Sequence, residues 1–150
     1  MAIKARFNID KLFEGVYEKV EIITDTVIDA IQMACLEVTN NAKGLDTYKD
    51  QTHYLRSSIG FVIYDHGEKV AEKFTSSGGT KGNEGVAEGQ RIAAEAAAQY
   101  PNDIVGVIVA AADYALYVES KGYDVITGPC NELNAILEKY LKIAIEELRQ

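Results

Sequence analysis

An α+β fold is expected for this chain: a mixed or antiparallel sheet of about four strands, with a long N-terminal helix, a middle helix and a C-terminal helix packed on it. The grounds are a 3.6-residue apolar stripe over the first third of the chain, a switch to period two beyond Tyr54, and a second helical stripe at the C-terminal end. At 150 residues the chain suits one domain, 1–150, with no internal repeat and no interdomain linker.

The first helix is expected over Asn8 to Lys43. Ile9, Leu12, Phe13, Val16, Tyr17, Val20, Ile23, Val27, Ile28, Ile31, Cys35 and Val38 recur at steps of three and four. Asn8 or Asp10 can cap its start, and Asn40, Asn41 and Gly44 mark its end. The stretch Glu21 to Ile28, rich in β-branched residues, lowers local helix propensity, but period 3.6 fits it and period two does not. A helix of ~30 residues is ~45 Å long, whereas a domain of this size has a radius of gyration near ~15 Å. The helix must therefore overhang the body, bend, or pack partly on another chain.

After a polar stretch, Leu55 to Tyr64 alternates as a strand, Asp65-His66-Gly67 is a turn, and Lys69 to Phe74 pairs back as a hairpin. The loop Thr75 to Asn83 is rich in Gly and Ser and lacks an apolar anchor, so it is expected to be mobile and to order against a partner. An alanine-rich helix runs from about Glu84 to Gln99, with Pro101 beyond it. The apolar run Ile104 to Ala111 reads as a central strand covered on both faces. Asp113 to Lys121 is a short helix or bent strand, and Tyr123 to Thr127 one more short strand. Asn131 can cap the last helix, whose stripe runs from Leu133 to Leu148.

Composition narrows the function. The net charge is −8 and the pI near 4.8, which argues against sequence-specific binding of nucleic acid. No apolar run approaches the ~20 residues that span a bilayer, and no signal-peptide core opens the chain, so no membrane association is expected. Cys35 and Cys130 are far apart and form no CxxC pair; reduced thiols are expected. His53 and His66 have no metal-ligand spacing with either cysteine. Gly79-Thr80-Lys81-Gly82 does not match a phosphate loop, and no serine sits in a nucleophile elbow. No catalytic site, cofactor or metal is expected.

Two short patterns point further. One is Tyr54-Leu55-Arg56-Ser57-Ser58-Ile59, after the long helix and polar loop; the other is Tyr114-Ala115-Leu116-Tyr117-Val118-Glu119-Ser120-Lys121-Gly122, after the buried strand. In this order they resemble the neck family of long-tailed double-stranded-DNA bacteriophages, the head–tail joining, tail-completion or minor tail proteins. Leu55, Arg56, Ser58 and Ile59 carry the first likeness; Tyr114, Tyr117, Val118, Glu119 and Gly122 carry the second. The family usually has a Thr-Gly pair before its Leu-Arg, where Thr52-His53-Tyr54 stands here, and an Arg-Pro-Phe type segment where Gly128-Pro129-Cys130 stands.

The resemblance implies a non-enzymatic structural protein of a phage or prophage. It would be made in the host cytoplasm and built into a ring in the virion neck, against copies of itself and neighbouring neck or tail proteins. The isolated chain is then expected to be a monomer or weak oligomer, since like charges repel. Candidate assembly contacts are Leu12, Phe13, Val16 and Tyr17 on the helix and Gly78, Gly79 and Lys81 on the loop. Arg56 and Glu119, the charged members of the two motifs, are expected to brace the sheet against the short Asp113–Lys121 segment as an ion pair. The alternatives are a small nucleotide-binding enzyme using the 78–89 loop, or a non-viral oligomerisation or adaptor module.

Overall fold

A computed structural model describes residues 9–150, with side chains from residue 14 onward. Strands β1 (Ile59–Asp65), β2 (Glu68–Phe74) and β3 (Ile104–Ala110) form one antiparallel sheet in the order β2-β1-β3. The β1–β2 turn is His66-Gly67, both with positive φ (50° and 85°), as the mirror-image hairpin turn requires. The register shifts between Ile63 and Tyr64.

The chain is α+β as expected, with three corrections to the strands. β3 is an edge strand and β1 the central one. An apolar run reports that both faces are covered, not that both edges are hydrogen-bonded. Leu55–Ser58 is not strand: Tyr54–Ser57 is a single helical turn, α2, and β1 begins at Ile59. The fourth strand, expected at Tyr123 to Thr127, is absent; that segment is an irregular connection running into a short helix, α5 (Thr127–Asn131).

Helix α1 (Ile9–Lys43) covers one face of the sheet and α3 (Gly82–Ala97) the other. Alternation along β1 makes both contacts. Phe61 and Ile63 meet Ile28, Ile31 and Cys35 of α1; Val62 meets Ala93 and Ala97 of α3. The β-branched stretch of α1 stays helical, and the Thr26 hydroxyl donates to the Ile22 carbonyl one turn back (2.7 Å). Helix α4 (Ala115–Ser120) follows β3, and α6 (Leu133–Leu148) packs chiefly along α1 rather than on the sheet. Lys139 Nζ (3.0 Å) and Tyr140 Oη (2.5 Å) both donate to Glu37 Oε2 across that seam. Asn131 ends α5 and does not cap α6, whose N-cap position is Glu132.

The length of α1 resolves as overhang. Among its described side chains the first buried one is Ala30. Toward the N-terminus Val16, Val20 and Ile23 are 50–54% exposed, although they continue the stripe that Ala34 and Val38 bury. Leu12, Phe13 and the proposed caps Asn8 and Asp10 lie outside the described side chains.

Candidate functional site

The two motifs meet at one corner of the domain. Leu55 and Ile59 of the first share a core cluster with Ala115 of the second, together with Ala42, Ala112 and Val125; Val118 packs against it. The Tyr54 and Tyr114 rings lie 6.2 Å apart, tilted by 33°. Burial pushes the Tyr114 phenol up, partly offset by hydrogen bonds from the Leu55 backbone and the Thr52 side chain.

Ser58 joins the motifs through hydrogen bonds. Its hydroxyl donates to the Leu55 carbonyl (2.7 Å), closing α2, and accepts from the Ala112 N–H (3.1 Å) at the end of β3. All of it is buried. Ser58→Ala is therefore expected to leave the Ala112 N–H unpaired and cost about 2 kcal/mol. Thermal unfolding should show the midpoint falling by about 4–8 °C; an unchanged midpoint would remove Ser58 from this role.

Arg56 and Glu119 form no ion pair, because each charge has another task. Arg56 Nη2 donates to the Leu45 carbonyl (2.7 Å), and its guanidinium lies 5.3 Å from the Tyr48 ring centroid. Its own backbone N–H donates to Asp50 Oδ2 (2.8 Å), which caps α2 from upstream. Arg56 thus straps the polar stretch 44–53 onto the body.

Glu119 faces forward. Its Oε1 accepts the N–H groups of Val125 (3.2 Å), Ile126 (2.8 Å) and Thr127 (2.9 Å), and its Oε2 the Thr127 hydroxyl (2.6 Å). Desolvation acts to raise its pKa, but the Thr127 hydroxyl and the three backbone N–H groups outweigh it and hold the carboxyl below its ordinary value. Gly122 completes the motif. It ends α4 at φ 87°, donating its N–H to the Glu119 carbonyl (2.9 Å) while Tyr123 N–H reaches the Val118 carbonyl (3.4 Å). This is a Schellman stop, and its left-handed position favours glycine. The second motif is therefore a helix, its stop and the cap of the next turn in one segment.

Between this segment and the strapped stretch lies an open groove of about 860 Å³. Asp46, Thr47, Tyr48 and Lys49 line one wall; Tyr117, Val118, Lys121 and Tyr123 line the other. Lys121 Nζ stands 5.2 Å from the Tyr117 ring centroid, and the Thr47 hydroxyl donates to the Asp124 carbonyl at the groove's edge. Tyr117 and Tyr123 are 64% and 52% exposed. Aromatic faces beside two ammonium groups and the Asp46 carboxylate suit a protein surface carrying apolar side chains and charges of both signs. Neither histidine nor cysteine lines the groove. Burial, with a smaller contribution from Cys130, pushes the Cys35 thiol up to about 11, so it is not a thiolate at neutral pH.

The candidate loop residues sit on another side of α2. Gly79 abuts Thr52 and the His53 ring, Lys81 N–H donates to the Thr52 carbonyl (3.0 Å), and a Cβ at Gly78 would meet nothing within 4 Å. Ser77 N–H donates to Ser57 Oγ (2.8 Å). The anchors of this loop are polar rather than apolar. Beyond it Gly82, Gly85, Gly89, Ala93 and Ala97 form the buried stripe of α3, so the glycine spacing serves close packing. Among the described residues no helix is long and apolar enough to cross a membrane, and no three His, Cys, Asp or Glu side chains gather as a metal site. No family model, curated protein or solved structure matches this chain.

Proposed function

We propose that this chain is a non-enzymatic structural subunit of a phage or prophage neck, a head–tail joining or tail-completion component that assembles as a ring. The observation that carries the reading is the overhang of α1. A core-type stripe runs out past the body and presents Val16, Val20 and Ile23 to solvent, which is a surface built to be covered. The tyrosine groove supplies a second, dissimilar patch. Rings need two different patches, because each copy meets the next head-to-tail. From Ile9 to Asp29 the sequence of α1 has six carboxylates (Asp10, Glu14, Glu18, Glu21, Asp25 and Asp29) against Lys11 and Lys19, so copies repel until apolar contacts are in register. The partners are further copies and adjoining neck or tail proteins. The place of action is the host cytoplasm during assembly and the virion neck afterwards.

Val16→Glu tests this. The isolated variant should fold with a midpoint within about 1–2 °C of the parent, as exposed substitutions do. In particle assembly it should fail to be incorporated, with light scattering showing no ring in the presence of neck partners. Normal particles containing the variant would exclude α1 as the contact. A parent chain that never enters particles would exclude the neck and leave an oligomerisation module outside any virion.

A further inference from the structure

We propose that the cleft between the last turn of α1 and the end of β2 binds a small oxyanion of the phosphate type. This goes beyond the neck reading and does not depend on it. The cleft is a cavity of about 240 Å³ lined by Thr39, Asn40, Lys43, Ile59, Lys73 and Thr75. Its lining holds two ammonium groups and no carboxylate, in a chain whose net charge is −8. Neither Lys43 nor Lys73 is in an ion pair among the described residues.

Lys43 is half-buried and donates one N–H to the Thr75 carbonyl (2.7 Å). An ammonium has three donors, so two remain. Its surroundings disfavour its charge: burial foremost, then the positive fields of Arg56 and Lys73. The partial negative charge at the C-terminus of α1 accounts for one cation there, worth about half an elementary charge. It does not account for Lys73 as well.

Thr39 adds an independent observation. Only 2% of it is exposed, and its hydroxyl has no hydrogen-bond partner. Thr26, on the same helix, returns its proton to the carbonyl four residues back, whereas Thr39 does not. A buried hydroxyl left unmated is costly. An oxyanion in the cleft would accept from Thr39 and both ammonium groups, answer the unpaired charge, and tie α1 to β2 and the loop that follows.

The probe is inorganic phosphate on the full chain, with sodium chloride of equal ionic strength as the reference. At about ten times the dissociation constant, phosphate should raise the unfolding midpoint by about 3–6 °C over chloride. Thr39→Val, which removes the hydroxyl but keeps the shape, and Lys73→Met, at an exposed position, should each fold and lose most of that rise. An equal midpoint in phosphate and chloride overturns the proposal. So does a full rise in both variants. A rise produced by a DNA duplex and not by inorganic phosphate also overturns it, since the ligand would then be a nucleic-acid backbone rather than a free oxyanion.

Discussion

Gly85→Ala is expected to destabilise the fold by about 3 kcal/mol and lower the unfolding midpoint by about 6–12 °C. A Cβ there would stand 2.3 Å from the Tyr54 carbonyl oxygen and 3.0 Å from Ser57 Cβ. The obstacle is backbone, so no side chain can swing away. Helix α3 must instead lift from α2, and the contacts of Ala93 and Ala97 with the sheet loosen with it. Alanine's better helix propensity returns about 1 kcal/mol, which leaves overpacking the larger effect. Gly15→Ala is the matched control. It lies in α1 with nothing within 4 Å of its Cβ position, so it should stabilise by about 0.5–1 kcal/mol. Opposite signs from the same substitution in two helices are the expected result. A neutral Gly85→Ala would contradict the close seating of α3.

Glu119→Ala is expected to cost about 2 kcal/mol at neutral pH, a fall of about 4–8 °C in midpoint. The alanine variant leaves the N–H groups of Val125, Ile126 and Thr127 to water. Glu119→Gln should recover part of the loss, since its amide oxygen can still accept. The pH dependence follows from the direction of the shift. The folded carboxyl titrates below its ordinary value of 4.5, so the native state binds its proton less readily than the unfolded chain does. Its stabilisation is fully present above the unfolded value and is lost as pH falls through the folded one. The parent–alanine difference should be constant from pH 7 to about pH 5.5 and shrink toward pH 3. Denaturant unfolding across that range measures it, and a difference that grows in acid would reverse the assignment. Amide resonances of Tyr117, Lys121 and Tyr123 should broaden in the alanine variant, because the segment Glu119 caps also walls the groove.

Long periodic elements are readable because burial of one face writes itself into spacing: α1, α6 and, from Ile59 on, the β1–β2 hairpin lie where period 3.6 or period two puts them, while α3 is marked by its alanine content and Pro101. The corner where the motifs meet was less readable. Four residues cannot display a helical period, so α2 passed for the start of β1. What makes it helical is tertiary: Asp50 capping the Arg56 N–H, and Ser58 closing the turn. Val125-Ile126-Thr127 has strand composition, yet its N–H groups go to one carboxylate instead of a neighbouring strand. Arg56 and Glu119 were expected to find each other because both flank apolar residues. Each found backbone instead, Arg56 a carbonyl and Glu119 amides. The packing face of α3 is written in residues that hydropathy does not register. Gly82, Gly85, Gly89, Ala93 and Ala97 recur at three and four residues, the helical period written in small side chains.

The seam between α1 and α6 sets the order in which the chain can mature. Glu37 meets Lys139 and Tyr140 from more than a hundred positions away, so α1 leaves the ribosome well before the helix that covers it. Synthesis at ~5–20 residues per second leaves several seconds in which the apolar face of α1 has no α6 to cover it. Closing so long a loop is entropically slow, and the sheet with α3 can form before it. The nascent chain is therefore most vulnerable to chaperone capture or premature self-association along α1 until the C-terminal helix emerges.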